Sequence, residues 1–261
     1  MTVAPQRRVV VVDGIPMSAL VAAVDEPRAV ILAIHGGATS SVYFDCPGHP
    51  RLSLLRKATS RGYTAIALDR PGYGASALYA DEMSEADRRV ALSFGVIDKI
   101  VEPDARGEGL FIIGHSAGCE LALRMTVGER ADVLGVEIAG TGTNYAESAK
   151  VILREATTTH RPAGLRDMLW QPTELYPGEV LTGALSAPGM LYEAEVTANW
   201  ARRDFPALAA NVRVPVEFSV ADNERVWDTT PEALTAITEM FTASPQAVSY
   251  THLTLPTTPY V

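Results

Sequence analysis

Short apolar runs alternate with amphipathic stretches along this chain, and the alternation predicts strands and helices in turn. Arg8–Val12 and Met17–Val24 flank Asp13-Gly14 and predict a hairpin at the start. Ala29–Ile34 is a continuous apolar run, as expected of a strand buried on both faces, and Tyr63–Leu68 reads the same way. Between them, Arg51–Arg61 places apolar residues at 52, 54, 55 and 58 and closes at Gly62, which predicts a helix with a C-terminal glycine. Ser84–Val101 is helical in pattern with Ser84 as N-cap. Strands over Leu110–Ile113, Val133–Ile138 and Val214–Val220 follow, with a helix over Ala117–Val127 and another over Pro231–Phe241 capped by Thr230. This order predicts an α/β fold: a mostly parallel sheet with helices on both faces.

The rhythm breaks between about Thr141 and Pro206. That stretch is helical in pattern, punctuated by Pro162, Pro172, Pro177 and Pro188, and carries Trp170, Tyr176, Tyr192 and Trp200. It reads as a helical cap inserted over one end of the sheet, so the expected division is a core of 1–140 and 207–247 with a cap of 141–206.

Composition narrows the class. The 261 residues are 47% hydrophobic and 20% charged, which excludes disorder as the main state. A net charge of −9 with no basic run argues against nucleic acid or an anionic membrane as partner. Cys46 and Cys119 cannot form a disulfide framework, no apolar stretch approaches a membrane span, and no targeting segment is visible at the N-terminus. A cytoplasmic protein is expected. Neither a metal-ligand cluster, a P-loop nor a dinucleotide fingerprint is present, so no cofactor and no metal is implied.

The chemistry concentrates in three blocks. Gly114-His115-Ser116-Ala117-Gly118 joins a predicted strand to a predicted helix, the context of a nucleophile elbow that projects Ser116 from the top of a sheet. The Ala117 N–H then lies at a helix N-terminus, where an oxyanion is stabilised. His35-Gly36-Gly37 ends the strand Ala29–Ile34 and would supply the second oxyanion N–H, with Gly37 the first choice and Gly36 or Ala38 the alternatives. Asp69-Arg70-Pro71-Gly72-Tyr73-Gly74-Ala75-Ser76 ends the next strand, and Asp69 reads as structural, bonding loop backbone. Together the blocks resemble the α/β-hydrolase superfamily over nearly the whole chain. The resemblance implies a catalytic acid after the late strand Val214–Val220. Asp222 is the candidate there; Asp228 is a weaker one, and Glu137, on the preceding strand, reads as structural or as an alternate acid.

The resemblance also implies a histidine base after one more strand. Only His252 lies in that region; His35, His49, His115 and His160 all fall earlier. Its setting is anomalous. From Val248 the chain reads V-S-Y-T-H-L-T-L-P-T-T-P-Y-V, with four threonines and no charged residue. The segment resembles a translated sequencing adapter: the reverse complement of a common transposon adapter, read from its third base, spells Val248 through Thr257 in register. The expectation is that residues 248–261 are foreign, that His252 is not the native base, and that the native last strand, histidine and closing helix are missing. A foreign segment rich in β-branched and aromatic residues could still pair as a strand. Loss of the native elements would uncover the Val214–Val220 strand and an apolar sheet face, giving a poorly soluble chain with little activity.

The function expected of the parent protein is serine-nucleophile hydrolysis of a carboxylic ester, thioester or amide of a small molecule carrying an apolar or aromatic group. A lyase, perhydrolase or C–C bond hydrolase on the same fold is the alternative within enzymes. A non-catalytic binding protein of this fold is the alternative outside them. Oligomeric state is not legible.

Overall fold

The computed structural model describes residues 2–128, 130–155 and 164–252. His160, Pro162 and the closing segment from residue 253 onward lie outside the described residues. The chain opens with the expected hairpin, β1 (Gln6–Val12) and β2 (Ile15–Ala22). It continues with β3 (Val30–Ile34), α1 (Leu54–Ser60), β4 (Thr64–Leu68), α2 (Ala86–Ile100), β5 (Leu110–His115), α3 (Gly118–Val127) and β6 (Val133–Ala139). Among the described residues five short α-helices lie between β6 and the next strand: α4 (Glu147–Leu153), α5 (Leu165–Leu169), α6 (Gly178–Leu181), α7 (Tyr192–Asn199) and α8 (Phe205–Ala209). β7 (Val216–Ala221), α9 (Pro231–Glu239) and β8 (Ala247–His252) complete the described chain.

The strands form one eight-stranded sheet in the order β1-β2-β4-β3-β5-β6-β7-β8. β2 is antiparallel to β1 and β4, and every other pairing is parallel. Parallel strands need crossovers, so the helices fall on the two faces and the carboxyl ends of β3 to β8 share one edge of the sheet. The main core lies between the sheet and α2, α3, α8 and α9, with Leu32, Ile66, Ile112, Ile138 and Phe218 meeting Leu92, Leu121, Phe205 and Ile237. α1 covers the opposite face over β2, β3 and β4, where Leu55 and Ala58 pack on Ala33, Ala65 and Ala67. Among the described residues no helix is long and apolar enough to cross a membrane.

Two departures from the sequence reading trace to side-chain contacts. α2 starts at Ala86, and Ser84 does not cap it: the buried Arg89 guanidinium takes the Met83 and Ser84 carbonyls, both at 2.8 Å, and so holds that segment outside the helix. The insert after β6 is not wholly a cover. Trp200, Phe205 and Ala209 at its end are buried in the main core, against the sheet helices. The edge beside β7 is occupied, as the β-branched and aromatic residues of this segment allow: Ala247–His252 runs parallel to β7, with Ala221 opposite His252.

Candidate active site

Ser116 follows β5 directly and has φ of +52°, a left-handed conformation that an L-residue adopts only under constraint. Its N–H bonds the Ala139 carbonyl at 2.8 Å, and its own carbonyl accepts the Cys119 N–H at 2.9 Å as α3 begins. The turn is tight enough to dictate its neighbours. A Cβ on Gly118 would lie 2.6 Å from the His35 carbonyl oxygen, and one on Gly36 would lie 3.1 Å from Ser116 Cβ. The 36–37 loop therefore lies against the elbow. A Cβ at Gly37 would be 3.7 Å from the Ala117 Cβ, so the expected oxyanion pair, Gly37 and Ala117, is brought together.

Ser116 opens into a cavity of about 360 Å³. Leu153, Leu165, Met168, Trp170, Val180 and Leu185 give it an apolar wall drawn largely from the insert. Tyr43 and His115 line the side next to the serine, and Asn223, Glu224, Arg225 and Trp227 line the side below β7. Volume and lining suit a small organic group with a few polar contacts.

The acids divide sharply. Asp222 is exposed and does not line the cavity. Glu224, two residues on, does: its Oε1 accepts the Val226 N–H at 2.7 Å and the Trp227 N–H at 3.3 Å, and these bonds hold the carboxylate at the cavity wall. Burial and then the nearby Glu224 charge push the Tyr176 phenol above its ordinary value. Asp228 accepts the Thr230 N–H at 3.1 Å at the start of α9 and stays out of the cavity. Glu137 accepts from Ser219 Oγ at 2.7 Å, and burial raises its carboxyl. It pairs with Ile113 in register, three residues short of the elbow serine. Asp69 is buried, bonding Ser18 Oγ at 2.6 Å and the Ser41 N–H at 2.8 Å, a loop-holding role.

The histidines near the serine have other partners. His35 Nε2 accepts the Arg70 N–H at 3.1 Å, so its Nδ1 carries the proton and donates to the Gly36 carbonyl at 2.8 Å. His115 stacks on Tyr43 with ring centroids 4.6 Å apart, and its Nε2 lies 3.2 Å from the Tyr43 hydroxyl. Burial pushes His115 down to about 4, so it is neutral near pH 7 and a weak base. The backbone of His252 stands at the end of β8, three strands from β5, a lateral separation of about 14 Å at ordinary strand spacing. Cys119 is buried, and its thiol is pushed up to about 12 by that burial, so it is not a reactive thiolate; Ser116 lines the cavity.

A family model described as "Alpha/beta hydrolase family" matches residues 30–260. The chain belongs to this family. Solved structures with the same fold include a thioesterase domain from the curacin biosynthetic pathway, 18% identical with a TM-score of 0.61 over 95% of this chain and 94% of that one. A cold-adapted esterase from an Arctic intertidal metagenomic library is 15% identical with a TM-score of 0.56, covering 97% and 85%. E-2-(acetamidomethylene)succinate hydrolase is 16% identical with a TM-score of 0.60, covering 95% and 91%. A comparison with curated proteins gives no match.

In this α/β hydrolase Glu224 lines the cavity and is a second candidate acid that the sequence reading does not name, because Asp222 lies nearer the strand end. The available signal was the turn Glu224-Arg225-Val226-Trp227, in which a carboxylate can collect the two following N–H groups and be fixed in place.

Proposed function

We propose that this protein is a serine hydrolase of a small-molecule carboxylic ester, thioester or amide carrying an apolar or aromatic group. The observation that carries the reading is Ser116, held at φ +52° at the mouth of an apolar cavity with the 36–37 loop packed against it. Ser116 attacks the carbonyl carbon, and the N–H groups of Gly37 and Ala117 receive the charge that develops on its oxygen. Glu224, rather than Asp222, orients the base: its Oε1 is held by two backbone N–H groups, and its second oxygen serves the imidazole. The base itself is a histidine that the native continuation after Gln246 would carry. The occupied nitrogens of His35 and the low basicity of His115 support this, and the adapter-like setting of His252 sets that residue aside.

The foreign-tail reading belongs with this proposal. The family match runs on through residue 260, while the ten residues from Val248 spell an adapter in register. The coding DNA decides: adapter codons at 248–257 are expected, and different codons there would remove the proposal.

The catalytic reading is tested with a fluorophosphonate probe and small aryl esters on protein carrying the gene's own C-terminal codons. Labelling at Ser116 and its loss in Ser116→Ala are expected; a protein that hydrolyses esters equally well as Ser116→Ala would sink the assignment. Absence of labelling would favour a binding protein. Product analysis separates hydrolysis from lyase, perhydrolase or C–C cleavage chemistry on the same serine.

A further inference from the structure

The loop that carries the oxyanion N–H contains a second strained residue. Ala38, next to Gly37, has φ of +54°. Nothing in its side chain favours that conformation, so its surroundings must hold it. Two hydrogen bonds do so, and both lead to the helical insert. The Ala38 carbonyl accepts the Ala187 N–H at 2.9 Å. The Ala38 N–H donates to the Tyr73 hydroxyl at 3.1 Å, and that hydroxyl in turn donates a hydrogen bond to Glu193 Oε1 at 2.8 Å.

Glu193 lies in the first turn of α7 and reaches back to the sheet edge. Its Oε1 also takes the Arg70 Nη2, forming an ion pair in which both side chains are largely withdrawn from solvent. Its Oε2 accepts the Met190 N–H at 3.1 Å and would lie 3.6 Å from a Cβ at Gly37. Arg70 in turn donates to the Gly36 carbonyl at 2.9 Å. One carboxylate on the insert thus terminates the donors of Arg70 and Tyr73, and those two residues hold the peptide groups on either side of Gly37. Neighbouring Tyr192 adds a bond from its hydroxyl to the Pro71 carbonyl at 3.1 Å, so α7 is seated on the same loop pair.

We propose that Glu193 is a positioning residue that couples seating of the insert to the geometry of the 36–38 loop, and through it to the oxyanion-binding N–H of Gly37. The proposal rests on the serine-hydrolase reading of Ser116 and extends it to regulation of the same site. When α7 lifts, Arg70 loses its counter-charge and Tyr73 its acceptor. The Tyr73 hydroxyl that accepts the Ala38 N–H is then no longer anchored, so Ala38 is held less firmly in its left-handed backbone and the loop relaxes away from Ala117. With α7 seated, the loop is held for catalysis.

Hydrogen exchange on the full chain tests the latch whatever the activity. Amides of residues 36–42 are expected to exchange about tenfold faster in Glu193→Leu, and to a lesser degree in Glu193→Gln, which keeps one acceptor oxygen. Tyr73→Phe should speed the same amides, and the Tyr73→Phe/Glu193→Gln pair should show less than the sum of the two effects because both act through one hydroxyl. Peptides over α6 serve as the control for general loosening of the insert and should not change. Exchange at 36–42 that matches the unsubstituted chain in both Glu193 variants would overturn the proposal. Phosphonylation of Ser116, measured in protein carrying the gene's own C-terminal codons, supplies the catalytic readout: the maximal rate falls about tenfold in Glu193→Leu with the half-saturating probe concentration unchanged. A change confined to probe binding would assign Glu193 to the cavity wall instead and also overturn the proposal. If Ser116 is labelled in no protein, the hydrolase reading fails while the exchange result still decides the latch.

Discussion

Two residues beside the cavity, Ser116 and Ala38, occupy left-handed backbone that costs an L-residue on the order of 1–2 kcal/mol each. Such strain persists only where surrounding contacts over-determine it, and here those contacts are the Ala139 carbonyl for one and the Tyr73 hydroxyl for the other. The same confined setting makes His115 sensitive to acid. Burial lowers its pKa to about 4, below the ordinary value of 6.5, and burial followed by the Arg70 charge lowers His35 as well. As pH falls from about 6.5 to about 4, the unfolded chain takes up these protons first, so stability falls with pH across that window. For His115 the full span corresponds to about 3 kcal/mol. Urea unfolding at pH 7, 5.5 and 4.5 should show this loss, and His115→Asn should flatten the slope, leaving the part that belongs to His35. A slope unchanged by that substitution would place the acid sensitivity elsewhere.

Elements whose burial is symmetric about a local pattern were legible from residues alone. β3 and β4 are continuous apolar runs because both faces are covered, and the β1–β2 turn announces itself in Asp13-Gly14. The elbow was legible because only small residues fit at 114 and 118, a constraint that leaves a mark in sequence. What depends on distant partners was not. The start of α2 is set by the Arg89 side chain, and the end of the insert is drawn into the core by Trp200 and Phe205. The proposal of Glu224 as the acid likewise depends on which way the chain turns after β7. Asp222 leaves the strand into solvent, and the turn at Val226-Trp227 brings Glu224 to the cavity. With a base in place, Glu224→Gln should lower kcat by about 10³–10⁴, the scale seen when a triad acid is neutralised without being removed. Asp222→Asn should stay within about twofold. The reverse ranking in steady-state ester hydrolysis would restore Asp222 as the acid.

At the scale of the whole molecule the two sheet faces are unequally covered. On the α1 side, register aligns Ile113, Glu137, Glu217 and Val248 in one row across β5 to β8, and His115, Ala139, Ser219 and Tyr250 in the next. α1 packs at the other end of the sheet, over β2 and β4. Phe111 and Ile113 are therefore only half-buried, while Val248 and Tyr250 are 42% and 49% exposed. Half-buried apolar side chains on such an uncovered face, here beside the carboxylates Glu137 and Glu217, invite association. The foreign-tail proposal accounts for it: native sequence after Gln246 would carry the strand, the base and a helix seated over these rows. Restoring the gene's own continuation is then expected to act on two properties at once. Melting temperature should rise and self-association in sedimentation should fall, because Phe111 and Ile113 become covered. Turnover should rise by up to about 10⁶, because the base of the triad returns. The two gains are separable: replacing the restored histidine with alanine should erase the turnover gain and leave the stability gain intact. A restored chain that melts, associates and turns over like the present one would show that residues 248–261 already serve as the native edge, and would return His252 to the position of base.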